Sequence, residues 1–216
     1  RVESGEESAA RSSSPPSTLH PLPRPKGAHV EYGTIPGVEK KVSRIVQGTV
    51  MLNVNDPEPG YALLDGVYAA GGNAFDTARH YGNGIEEVFG NWVRSRGLRD
   101  EVMLLGKGAH PVDGRKRVTP EDIAEDLDES LRQFGIDFID LYLLHCRGGV
   151  PLSETVEAFE TLKAAGKIRH WGVSNFDTDE MEELVGLPAG GSVQTNQVLY
   201  NLSRRGPEFD LAPWMN

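Results

Sequence analysis

The residues able to do chemistry in this sequence fall at the ends of short apolar runs. Ile45–Gly48 ends at Gly48-Thr49, Asn73–Phe75 runs into Asp76, Val102–Leu105 is followed by Lys107, and Phe138–Leu144 by His145. Ile168–Val173 leads into Ser174-Asn175, and Val193–Val198 carries Gln197 near its end. Tyr81 lies shortly after Asp76, ahead of the next helical pattern. A phenol is a poor proton donor at neutral pH, with an ordinary pKa of ~10. An ammonium beside it stabilises the phenolate, and a carboxylate beside the ammonium keeps that charge in place. An imidazole near the phenol can orient a carbonyl oxygen between the two donors. Asp76, Tyr81, Lys107 and His145 thus supply an acid site with an oxyanion pocket, suited to adding hydride to a carbonyl.

Such a site needs elements that bring all these run ends to one face. Between the apolar runs the spacing is helical. Leu64, Val67, Tyr68 and Gly71 share one helical face, as do Ile85, Phe89, Trp92 and Val93, and Val156, Phe159 and Leu162. Thr119-Pro120 with Asp122 reads as an N-cap, a first-turn proline and a capping-box acid ahead of Ile123, Leu127, Leu131 and Phe134. Ser153 opens the next helix, Gly166 closes it, and Asp177 with Glu180 caps a short one. Alternating strands and helices imply parallel strands with helical crossovers, whose C-terminal ends carry the chemistry. An open doubly wound sheet and a (β/α)8 barrel both follow this pattern. The chain has no G-x-G-x-x-G, and Gly106-Lys107 lacks a P-loop's upstream glycine, position 101 being Glu. The barrel is therefore expected, with the Ile45–Gly48 strand buried. Buried strands have no packing reason to end in a glycine or a polar group six times over.

At 216 residues the chain is long enough for one domain with a sizeable core. Its 22 basic and 32 acidic residues leave a net charge of −10, which argues against a nucleic-acid partner. No apolar run approaches the ~20 residues of a membrane span. The single cysteine, Cys146, excludes a disulfide framework and fits a reducing compartment, here expected to be the cytoplasm. His80, His110, His145 and Cys146 lack the spacing of a zinc motif, so no metal site is expected, and Cys146 reads as a passive neighbour. Residues 1–28, rich in serine and proline, are expected to be a disordered tail ahead of a domain over 29–216.

Several segments in order resemble the aldo-keto reductase family. They are Phe75-Asp76-Thr77-Ala78-Arg79-His80-Tyr81-Gly82, Leu105-Gly106-Lys107-Gly108, and Ile139 through His145. Gly166-Lys167-Ile168-Arg169, Gly172-Val173-Ser174-Asn175-Phe176 and Asn196-Gln197 continue the series. The resemblance implies an NADP(H)-dependent (β/α)8 barrel acting on a small-molecule carbonyl substrate. Tyr81 would be its proton donor and Lys107 would depress the phenol's pKa. Asp76 would pair with Lys107, and His145 would place the carbonyl. Ser174, Asn175 and Gln197 would bond the nicotinamide carboxamide, with Gly48 and Thr49 in the first loop near the cofactor. Six strands are read here against the barrel's eight, so about the first six βα units are expected, leaving two strand edges open. A non-catalytic cofactor-binding subunit of the same fold and an inactive truncated form are the alternative readings.

Overall fold

Interrupted apolar stretches and well-marked helix starts produce a regular alternation in the structure, a computed structural model that describes residues 30–82 and 84–215. The expected tail over residues 1–28 lies outside the described residues. A short antiparallel hairpin comes first, β1 (Tyr32–Gly33) with β2 (Val42–Ser43). Then follow β3 (Val46–Gly48), α1 (Glu58–Ala69), β4 (Ala74–Asp76), α2 (Ile85–Arg96), β5 (Met103–Gly108) and α3 (Pro120–Phe134). The remainder is β6 (Ile139–Leu144), α4 (Leu152–Ala164), β7 (Ile168–Ser174), α5 (Thr178–Val185), β8 (Val193–Gln197) and α6 (Leu211–Met215). The hairpin and α6 have no counterpart in the sequence reading, since each is too short to show a period.

Strands β3 to β8 form one parallel sheet in strictly sequential order. A doubly wound sheet would reverse its order at a central strand; a barrel winds onward, as here. The sheet also curls. Gln197 on β8 donates to Asp76 Oδ2 on β4 at 2.8 Å. In a flat sheet four strand spacings would hold them roughly 19 Å apart. The fold is therefore a half-barrel, the first six units of a (β/α)8 architecture.

Strand periodicity divides the core in two. One face of the strands, with Phe75, Leu104, Tyr142, Leu144 and Trp171, packs beneath the helices against Leu64, Phe89, Trp92, Ile123 and Phe159. The other face, with Ala74, Met103, Leu105, Leu141 and Leu143, packs inside the curl against Val42 of the hairpin. The hairpin thus covers one end of the barrel interior. Helix starts follow local chemistry. Thr119 Oγ1 accepts from the Asp122 amide at 3.2 Å and Pro120 opens α3, which ends at Gly135 with φ of 63°. Asp177 and Glu180 form a reciprocal capping box on α5.

Three local expectations change. The Ile45–Gly48 run is exposed rather than buried: Ile45 is 73% and Val46 41% accessible. β3 is an edge of the sheet among the described residues, so nothing covers its outer side. Helix α4 starts at Leu152 after Pro151 without a side-chain cap, so Ser153 is not its opener. The third sheet strand runs on to Gly108, placing Lys107 within its last turn of pleat rather than beyond it.

Helix α2 carries a carboxyl into this core. Glu86 is 2% exposed, and neither of its oxygens has a hydrogen-bond partner. The Ser130 hydroxyl stands close enough to lower its pKa slightly, but burial dominates and pushes it up to about 7.

Candidate active site

The parallel pleat sends alternate residues inward, and the inward set on β5 runs Met103, Leu105, Lys107. The first two are members of the interior cluster. Lys107 therefore projects into the barrel mouth, where it is 2% exposed and paired with Asp76 Oδ1 from the end of β4. Burial lowers the lysine's pKa and the Asp76 carboxylate works against that. Asp76 is held on its other oxygen by Gln197, and its backbone carbonyl accepts both the amide and the hydroxyl of Thr49 at 3.0 Å.

A β-bulge brings Gln197 there. Trp171 pairs with Val193, but Val173 pairs with Asn196 and Ser174 with Gln197, so β8 gains a residue between the two registers. Trp171 and Val173 both face the helices. Without the extra residue, Gln197 would share the side of Val193 and point outward; with it, Gln197 sits beside Ser174 and points in.

Tyr81 ends the 3-10 turn Arg79–Tyr81 that follows β4. The Lys107 ammonium lies 5.7 Å from its ring centroid. Burial first, and then the Asp76 carboxylate, raise the phenol's pKa. The net shift is upward, so burial and the carboxylate outweigh any lowering by the nearby ammonium in this arrangement. The phenol therefore keeps its proton at neutral pH. His145 follows β6, its amide bonded to the Gly108 carbonyl at 2.9 Å. Its pKa is pushed down to about 3 by burial and by His80, Lys107 and His110, so its ring is neutral. The structure brings Asp76, Tyr81, Lys107 and His145 to one rim, as read from the strand ends.

The remaining sequence-derived residues border the same rim. Gly48 ends β3 with nothing within 4 Å of where a Cβ would stand, leaving open space above it. Ser174 donates to the Gln197 carbonyl at 3.0 Å. Asn175, in left-handed backbone with φ of 57°, donates to Ser174 Oγ at 3.2 Å and accepts from the Leu199 amide at 2.8 Å. These hydroxyl and amide groups are the donor and acceptor types that a planar carboxamide needs, and the glycine gives room for a flat ring. The set fits a nicotinamide. Gln197 lies beside these groups with its side-chain nitrogen donating to Asp76 Oδ2. Among the described residues no group of His, Cys, Asp and Glu is arranged to hold a metal ion.

Sequence reasoning weighed His80 and His110 only as members of a zinc motif and did not foresee them as neighbours of the site. Their rings are stacked at 3.8 Å between centroids and 8° between planes, next to His145. His80 lies in the Arg79–Tyr81 turn and His110 shortly after β5, too far apart in the chain for any spacing rule to pair them.

The mouth of the half-barrel thus holds an ion-paired lysine, a protonated phenol and a neutral imidazole side by side. Residues 44–216 match the aldo/keto reductase family, and the chain belongs to it. It is 46% identical over 142 residues to the methylglyoxal reductase YeaE of Escherichia coli, covering 64% of this chain and 47% of that protein. It is 32% identical over 195 residues to the aldo-keto reductase YhdN of Bacillus subtilis, covering 86% of this chain and 58% of that protein. The chain thus spans about half the length of these relatives. A solved aldo-keto reductase from Klebsiella pneumoniae, in complex with NADPH, superposes with a TM-score of 0.77 at 40% identity, over 86% of this chain and 64% of that one. No helix of the described residues is long and apolar enough to cross a membrane.

Proposed function

We propose that the protein carrying this chain is a cytoplasmic reductase of small aldehydes or ketones, using NADP(H). The observation that carries this reading is the meeting of Tyr81, the Lys107–Asp76 pair and His145 at one barrel rim. The NADPH complex of the Klebsiella relative supports the choice of nucleotide. Ser174, Asn175 and Gln197 would hold the carboxamide, and the Gly48-Thr49 turn would border the ring. When bound, the reduced nucleotide supplies a hydride.

The chain's own residues do the rest. The neutral His145 imidazole donates a hydrogen bond to the substrate carbonyl oxygen and fixes its direction. Tyr81 holds a proton at its Oη and passes it to that oxygen as negative charge develops. Lys107 then stabilises the phenolate left behind, a role it fills best once Asp76 has oriented the ammonium. Burial of the pair strengthens these effects by excluding water.

The test is reduction of methylglyoxal, the substrate named for the Escherichia coli relative, and of a panel of simple aldehydes by the intact protein with NADPH. We expect turnover, lost by about 10²- to 10⁴-fold in Tyr81→Phe with nucleotide affinity kept. Nucleotide binding without turnover of any carbonyl would support the regulatory-subunit reading instead. Neither binding nor turnover would support the inactive form.

A further inference from the structure

An imidazole that positions a substrate is ordinarily itself oriented by a hydrogen bond from its second nitrogen to a carboxylate or carbonyl. His145 lacks this. Its Nδ1 is buried and has no partner. What meets the ring instead is a slab of two other imidazoles. His80 and His110 lie parallel at 3.8 Å and 8°. His145 stands edge-on to both, at 4.6 Å and 68° from His80 and 4.9 Å and 63° from His110. His80 also meets the Tyr81 ring edge-on, at 4.9 Å and 61°. The slab is anchored in turn, because His110 Nδ1 lies 2.9 Å from the Pro111 carbonyl. A carbonyl only accepts, so Nδ1 carries the proton and the His110 ring cannot swing freely.

We propose that His80 and His110 are positioning residues, their stacked rings fixing the planes of His145 and Tyr81 relative to each other. This rests on the reading of those two residues as the carbonyl-orienting and proton-donating groups. Edge-to-face contacts prefer one ring orientation, so a slab touching both groups sets the angle between them. Such an angle is what a carbonyl oxygen shared by two donors requires.

The charge arrangement agrees with the geometry. The groups facing His145 are His80 from the Arg79–Tyr81 turn, His110 from the loop after β5, and Lys107 from β5 with Asp76 of β4 behind it. Burial, His110 and Lys107 also lower the pKa of His80. A proton on His80 or His145 is opposed by burial and by its neighbours, so both rings stay uncharged at neutral pH, which suits close ring contact.

The experiment compares His110→Leu and His110→Phe in the intact protein, with His80→Leu as a second variant. Leucine removes the flat ring; phenylalanine restores it without the nitrogens. For carbonyl reduction, we expect His110→Leu to lose roughly 10- to 100-fold in kcat at unchanged nucleotide affinity, and His110→Phe to recover most of that loss. A second readout needs no turnover: ¹³C- and ¹⁵N-labelled histidine NMR of the His145 ring. We expect one ordered, non-titrating imidazole between pH 5 and 8 in the wild type and in His110→Phe. In His110→Leu and His80→Leu we expect a mobile ring. A wild type that reduces no carbonyl would sink the functional reading, while the NMR comparison would still decide whether the slab orders His145. A His145 ring equally ordered in both leucine variants, or His110→Phe no better than His110→Leu in kcat, would overturn the proposal.

Discussion

Changing Glu86 to glutamine removes one titration from the core while keeping the side chain's shape. In the folded protein this carboxyl, on α2 and 2% exposed, is raised from 4.5 to about 7, chiefly by burial. In the unfolded chain it returns to its ordinary value. Between these two pH values the folded protein binds the proton and the unfolded chain does not, so stability must fall as pH rises. At about 1.36 kcal/mol per tenfold change in proton affinity, the difference amounts to about 3 kcal/mol, present below pH ~4.5 and fully lost above pH ~7. Glutamine has no proton to lose. The assay is urea unfolding of both proteins at pH 5 and pH 8, the difference between them cancelling every other titrating group. We expect the wild type to lose about 2 to 3 kcal/mol more than Glu86→Gln across that range. Parallel losses in the two proteins would refute the reasoning, because a carboxyl that reaches solvent or finds a partner would not be raised.

Two further outcomes follow from geometry. A Cβ at Gly90 would stand 2.2 Å from the Phe134 carbonyl oxygen; because the obstacle is backbone where α2 crosses the end of α3, Gly90→Ala should cost on the order of 1–3 kcal/mol in urea unfolding. Asp76→Asn keeps an acceptor for Lys107 and loses only the charge, so it should reduce kcat less than Tyr81→Phe does; the reverse order in steady-state kinetics would remove its assignment as the lysine's partner.

Much of the scaffold was readable from neighbours in the chain. Thr119, Pro120 and Asp122 mark the start of α3, and Asp177 with Glu180 marks α5, because a cap is satisfied within one turn. The run Ile139–Leu144 shows as a strand because its apolar side chains need no distant partner to declare themselves. The rim residues Asp76, Lys107, His145 and Ser174 were legible for a similar reason: in parallel strands, position along the run fixes which end a side chain occupies.

What escaped the sequence depends on groups far apart in it. Val46 is exposed because β3 is an edge, a property of its neighbours and not of its own residues. Gln197 turns inward through a bulge defined by register against β7, which local composition cannot encode. The phenol of Tyr81 is raised because folding buries it and brings the Asp76 carboxylate beside it. His80 and His110 look like unrelated loop histidines until the barrel closes their loops together. Amino-acid order by itself determined which chemical groups this protein has and the face they share. Only folding decided their angles, their company and their charge, since each of those arises where separate stretches of chain converge and exclude water.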